Sequence, residues 1–194
     1  MKKALIILTV FLASFANAQK GTYLVSGNLN YYIQSNNQQG PYDYTNLGIS
    51  PKVGYQFSEK WTVGGEMGIY YNSQKWNQGY TSENKNNNFS VGGFVRYSKP
   101  LTETFSLFAD FGLGYTHRNE YTRNVDGDLT TKYDGFYSQF QPLLFLKVKN
   151  NFGINFGLGG VSFNSINNKT SNNSQNTFSF NFGQSFTLGV QKNF

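Results

Sequence analysis

Four charged residues stand out in this 194-residue chain: Lys52, Glu66, Arg96 and Asp110, in a sequence where only 13% of residues are charged. Their signs alternate along the chain. If four successive elements bring them to one level, two cations and two carboxylates can neutralise one another as a ladder, which is what charges enclosed away from water require. Such a ladder either plugs an interior or gates an ion path. His117 is the single histidine. Acyl-transfer chemistry needs a histidine beside a serine with an orienting partner, and its neighbours Thr116 and Arg118 supply no such motif. Asn124, Asp126 and Asp128 carry oxygens suited to calcium, but an Asp126-Gly127 hairpin turn already accounts for them. Asn168-Lys169-Thr170 matches a glycosylation sequon. No metal constellation, phosphate loop or G-x-S-x-G occurs, so no metal and no cofactor are expected. The absence of cysteine excludes disulfides, thiolate metal sites and a cysteine nucleophile together.

The elements that carry these groups are legible as period-two alternation. In the last stretch, Thr177 to Phe194, the even positions Phe178, Phe180, Phe182, Phe186, Leu188, Val190 and Phe194 are apolar and the odd positions are polar or glycine. Seven earlier segments alternate likewise: 22–33, 46–57, 61–71, 89–98, 105–117, 136–148 and 152–161. In each, one apolar set faces outward. Lys52, Glu66, Arg96 and Asp110 then fall on the opposite, inward face of four consecutive strands, with Tyr137, Gln139, Gln141 and Lys147 extending the polar filling. The connectors alternate in length. Residues 35–45, 72–87, 118–135 and 164–176 are long and rich in Asn, Gln, Ser, Gly and Tyr, whereas the other three are tight. A two-residue Asp126-Gly127 turn pairs Val125 with Asp128, which joins the odd set of one strand to the even set of the next. The third long connector is therefore expected to protrude as a hairpin. A weak repeat at an offset of 91 relates Ile49, Pro51, Val53, Trp61, Val63 and Met67 to Phe140, Pro142, Leu144, Phe152, Ile154 and Leu158, two copies of one hairpin solution.

Composition agrees with a strand-built membrane protein. A mean hydropathy of -0.48 is compatible with one, because the inward half of each strand cancels the lipid-facing half in any average. The 19 Phe, 14 Tyr and 21 Gly fit aromatic girdles around a narrow, small-residue interior. Tyr55, Phe57, Trp61, Tyr97, Phe105, Phe152 and Phe194 fall near the short turns, and Tyr31, Tyr71, Phe89, Tyr115 and Phe178 near the long connectors. Met1 to Ala18 reads as a secretory signal. Lys2 and Lys3 lead an apolar run, and Ala16-Asn17-Ala18 fits small-x-small cleavage, which leaves residues 19–194 as one barrel domain. Removing the two lysines takes the net charge from +6 to +4, too mild and dispersed for a nucleic-acid partner.

These features predict an all-β fold: an eight-stranded antiparallel up-and-down transmembrane barrel with four long extracellular loops and three short periplasmic turns. The phrases NLGISPKVGYQFSEKWTVGGEMGIYY and FSVGGFVRYSKPLTETFSLFADFGLGY, with the leader and the C-terminal strand, make the chain resemble the small outer-membrane β-barrel superfamily, of the OmpX and OmpA transmembrane-domain type. That resemblance covers essentially all of the mature chain. It implies a Gram-negative outer-membrane location with both termini periplasmic, surrounded by membrane lipid and lipopolysaccharide. It also implies a C-terminal assembly signal for the insertion machinery, matched here at Thr187, Gly189 and Phe194, with Lys192 where an apolar residue is usual. A monomer is expected. Function is expected to be non-enzymatic, envelope-structural or surface-interacting, with Tyr42, Tyr44, Trp76, Tyr80, Tyr121 and Tyr133 as loop contacts. The alternatives are a narrow channel for small or apolar solutes and a lipid A-modifying enzyme that uses His117.

Overall fold

The computed structural model describes residues 21–36, 42–77, 81–124, 127–149, 152–171 and 173–194. Ala16, Ala18, Tyr80, Val125 and Asp126 lie outside them. Eight strands follow one another: β1 (Tyr23–Asn36), β2 (Tyr42–Gln56), β3 (Trp61–Asn77), β4 (Thr81–Pro100), β5 (Phe105–Asn124), β6 (Gly127–Lys149), β7 (Phe152–Asn168) and β8 (Ser174–Asn193). Each pairs antiparallel with the next, and β8 returns to β1 to close a barrel. Closure is what the alternation demands. A sheet with an apolar outer face in lipid has no water to satisfy an open edge, so its edges must meet.

Outward positions are the ones the alternation assigns. Leu29, Ile49, Val63, Ile69, Phe111, Leu113, Phe136, Phe178 and Leu188 are all exposed on the outer surface. An apolar belt of this extent has a stable environment only against hydrocarbon. Tyr55, Phe57, Trp61, Phe105, Phe152 and Phe194 form the exposed aromatic row at the short-turn end, and Trp61 packs edge-on against Tyr97 with centroids 5.1 Å apart. Two of the short turns are built alike. The Ser58 hydroxyl accepts the amide of Trp61 at 3.1 Å, and the Thr102 hydroxyl accepts that of Phe105 at 3.0 Å.

Three features depart from the sequence expectation. First, the expected β5–β6 hairpin, paired out to Asn124 and Gly127, is not alone: the described residues of the other long connectors are also mostly strand. Second, the β5–β6 register differs by two residues. Arg123, not Val125, lies opposite Asp128. Tyr121 Oη donates to Asp128 at 2.6 Å and Arg123 Nε donates at 3.2 Å, contacts that hold Asp128 across from Arg123. Gly127 takes the positive φ of 128° that favours glycine there. The odd-to-even match of the two strands survives. Third, β7 and β8 slip between Gly157 and Gly159. Gly159 has a φ of 88°, and the outward set changes from Ile154 and Phe156 below the slip to Phe163 above it. A smaller slip between Phe140 and Leu143 in the β6–β7 ladder limits the 91-residue repeat to a sequence pattern.

The seam is the shortest ladder. Five residue pairs, from Leu24 opposite Asn193 to Asn28 opposite Gly189, join β1 to β8 among the described residues. Tyr23 and Phe194 extend it by exchanging backbone hydrogen bonds of 3.1 and 2.9 Å.

Candidate functional site

The interior divides at one level, set by the four charged residues. Lys52 and Glu66 are direct cross-strand partners on β2 and β3, and Arg96 and Asp110 are partners on β4 and β5. Lys52 Nζ lies 2.8 Å from Glu66 Oε2 and 3.2 Å from Asp110 Oδ2. Because β2 and β5 are not neighbours, the second contact crosses the lumen. Arg96 grips Asp110 with two donors, Nε to Oδ1 at 2.5 Å and Nη2 to Oδ2 at 2.8 Å, the fork geometry that favours arginine over lysine here. All four side chains are buried, and their charges sum to zero.

Two groups complete this level that the sequence reading did not single out. Arg96 Nη1 donates to Gln191 Oε1 on β8 at 2.6 Å, and Asn155 Nδ2 donates to the same oxygen at 3.2 Å. The network thereby spans the barrel from β4 to β8. Beneath it lies an apolar plug. Leu24, Phe108, Leu143 and Phe145 are buried there on the inner face, with Phe108 stacked on Phe145 at 5.2 Å, and Phe94 is buried between the two ion pairs. Arg96 Cζ sits 4.7 Å from the Phe108 ring centre, and Lys52 Nζ 5.1 Å from that of Phe94. These rings occupy inward positions of the alternation. A reading that assigns apolar residues to lipid has no place for them. Lys147, expected as interior filling, is exposed near the short-turn end.

Above the network the interior is hollow. A cavity of about 700 Å³ lies there, bordered by Lys52 and Glu66 and, at one side, by Leu29, Tyr31 and Leu188 of β1 and β8, whose pairing stops at Asn28 and Gly189 among the described residues. Glu66 Oε1 accepts Tyr137 Oη at 2.8 Å and Gln139 Nε2 at 3.0 Å, as the expected polar filling implies. The space exists because the wall is partly glycine and serine. A Cβ on Gly114 would lie 2.7 Å from Tyr137 Cε1, and one on Gly68 2.8 Å from Tyr70 Cε2. The two tyrosine rings therefore rest on backbone, an aromatic-on-glycine arrangement that also steadies the strand pairs.

The expected loop contacts fall into two groups. Tyr42, Tyr44 and Trp76 are half-buried and pack on one another: Tyr42 stacks on Tyr44 at 6.5 Å and tilts against its cross-strand partner Trp76 at 5.9 Å. Their even numbers place them on the same sheet face as Lys52 and Glu66, toward the mouth of the cavity. Tyr133 lies under the Arg118 guanidinium at 5.9 Å. Tyr121 is on the other face, held by Asp128 and approached by Lys85 and Arg123. In this same extension burial works against ionisation of Glu83, but the Lys85 and Lys75 ammonium groups outweigh it and keep its carboxyl below the ordinary range.

His117 does have an orienting acid, which its sequence neighbours concealed. Its Nδ1 lies 2.5 Å from Asp134 Oδ1 on β6, its cross-strand partner. Lys169 and Tyr115 also bind this carboxylate. Together, His117 first, they hold Asp134 well below the usual carboxylate range. Among the described residues the His117 ring bonds only to Asp134, and no serine joins the pair. Asn124 Oδ1 accepts the Ser82 hydroxyl, and no group of three or more potential metal ligands occurs among the described residues. At the C-terminus Gly189 is buried, Thr187 and Phe194 are exposed, and Lys192 Nζ lies 4.7 Å from the centre of the Phe194 ring.

Residues 4–191 match the family model described as outer membrane protein beta-barrel domain. No curated protein matches the sequence. Among solved structures, the attachment invasion locus protein Ail of Yersinia pestis is similar over 90% of this chain and 97% of its own, at 14% identity and a TM-score of 0.49. A major outer membrane protein of Thermus thermophilus is 10% identical over 91% of this chain and 100% of its own, with a TM-score of 0.49. Neisserial surface protein A is 14% identical over the same shares, with a TM-score of 0.44.

Proposed function

The chain belongs to the outer membrane protein beta-barrel domain family, and from that premise we propose that it is a non-enzymatic surface barrel that contacts other surfaces through its strand extensions. It is an outer-membrane protein, and in the proposed orientation both termini and the three short turns are periplasmic. The observation that carries this reading is the free edge of β6. From Gly127 to Thr131 this strand has β5 on one side and, among the described residues, no strand on the other; the Lys169 amide already donates to the Lys132 carbonyl at 2.9 Å, and β7 pairs from Tyr133 onward. An edge that projects past the belt offers unpaired backbone groups to an extended partner segment. The apolar plug beneath the charge network favours this role over a channel, because a solute crossing the barrel has to displace buried phenylalanines.

In-frame deletion of residues 118–133 is expected to leave a heat-modifiable, folded barrel while abolishing adhesion of expressing cells to their target surfaces. Adhesion at the level of the intact protein would overturn the reading. Orientation is tested separately with a C-terminal epitope tag. Whole cells should leave it unlabelled and permeabilised cells should not.

A further inference from the structure

The cavity above Lys52 and Glu66 is unused by a role that resides in the hairpin edges, and its chemistry is specific. Its volume, about 700 Å³, falls within the size range of small-molecule sites, about 300–1,000 Å³. Lys52 and Glu66 of the charge network border it, and Leu29, Tyr31 and Leu188 border it at the β1–β8 seam. The charged residues of the floor are already neutralised: Lys52 by Glu66 and Asp110, and Asp110 by Arg96. An ion entering the chamber finds no unpaired counter-charge there.

What the walls offer instead is neutral hydrogen bonding. Ser90, Gln141, Ser162 and Asn164, from β4, β6 and β7, line the cavity. These hydroxyls and amides are both donors and acceptors. The third component is aromatic. Tyr70 is held flat against Gly48 and Gly68, with its hydroxyl fixed 2.7 Å from Ser50 Oγ. Along the same inward row of β2 and β3, toward the mouth, Tyr44 Oη accepts Asn72 Nδ2 at 2.7 Å, and Tyr42 and Trp76 pack together at the top. Aromatic surface therefore runs from the mouth to the chamber on one wall, faced by amides and hydroxyls on the other.

Flat C–H faces bordered by hydroxyls that both donate and accept are the property of one ligand class. We propose that this chamber is a binding site for a small uncharged saccharide of one or two rings, taken in from the hairpin end along the Trp76–Tyr42–Tyr44 row. A cation or anion lacks a counter-charge here, and a purely apolar solute strands the wall amides.

The test uses the full-length protein folded in micelles of a detergent without a sugar headgroup, titrated with sucrose and with methyl glucoside and followed by NMR. Saturable shifts at Ser90, Gln141 and Asn164 and at the Trp76 indole are expected, with a dissociation constant of about 1–10 mM, the range of a few unopposed hydrogen bonds. Ser90→Phe should fill the chamber and abolish them. If that variant does not fold by heat-modifiable mobility, Gln141→Ala and Asn164→Ala serve instead, each weakening binding about threefold to tenfold. Three results would each overturn the proposal: shifts that rise linearly without saturation, equal binding of sodium gluconate or glucosamine hydrochloride, or unchanged affinity in the folded variants.

Discussion

The two halves of the barrel interior meet opposite physical demands with the same strands. Toward the short turns the inward positions hold a buried cluster of Phe108, Leu143 and Phe145 under a set of ion pairs. Toward the hairpin tips the inward positions hold serine, asparagine, glutamine and glycine around an open cavity. The lower half encloses charge where water is scarce, so each charge must be paired and the space between pairs filled. The upper half remains wet, so its polar groups need no protein partners. The difference teaches that an eight-stranded barrel is not uniformly filled. Whether a level is solid or hollow depends on inward side-chain volume, with glycine and serine as the hollowing residues.

The largest test of this contrast is Asp110→Ala. It leaves Arg96 and Lys52 buried beside one another with Glu66 as the remaining carboxylate, and the expected cost is about 3–5 kcal/mol, read as a lowered urea midpoint in folded micelles. Phe108→Ala, in the solid half, should cost about 3 kcal/mol by opening a cavity beneath Arg96. The same variant should also raise planar-bilayer conductance above that of the parent if the plug is what seals the lumen. Gly68→Ala in the hollow half brings a Cβ to 2.5 Å from Ser90 Oγ and 2.8 Å from the Tyr70 ring. Displacement of Tyr70 should cost about 1–3 kcal/mol. Ser162→Ala, on the chamber wall, is expected to stay within about 0.5 kcal/mol of the parent. A cost at Ser162 as large as that at Phe108 would erase the distinction between the halves.

On the outer face of β6, Asp134 provides a pH test of the hairpin base. Its folded-state carboxyl lies below the ordinary value, so its contribution is fully present above about pH 3.9, the unperturbed aspartate value. That contribution is lost as pH falls through the depressed folded value. Carbon-13 titration of Asp134 should show a midpoint below the ordinary one, and Lys169→Ala should move it upward.

Much of this was legible in the residues. Alternation at Phe178 to Phe194 and in the seven earlier segments identifies the outer face, and the inward parity of Lys52, Glu66, Arg96 and Asp110 brings them to one level. Those signals are strong because a one-residue slip would put an entire apolar set on the wrong face. The β5–β6 register was harder. A slip of two residues keeps every side chain on its face, so the alternation cannot distinguish Val125 from Arg123 opposite Asp128. Phe108 and Leu143 were obscured for a different reason, since an apolar residue at an inward position carries no mark of being plug. The link from His117 to Asp134 needs the cross-strand register, and that from Arg96 to Gln191 crosses the lumen; neither can be read from neighbouring residues.

The brevity of the β1–β8 seam also bears on how the protein forms. Every other ladder joins strands adjacent in sequence, whereas Val25 meets Lys192 across nearly the whole chain. Loop-closure entropy opposes that contact until the intervening hairpins have shortened the effective loop. Closure is therefore the late step, and the exchange of backbone bonds between Tyr23 and Phe194 is where an open, edge-bearing sheet becomes a sealed one.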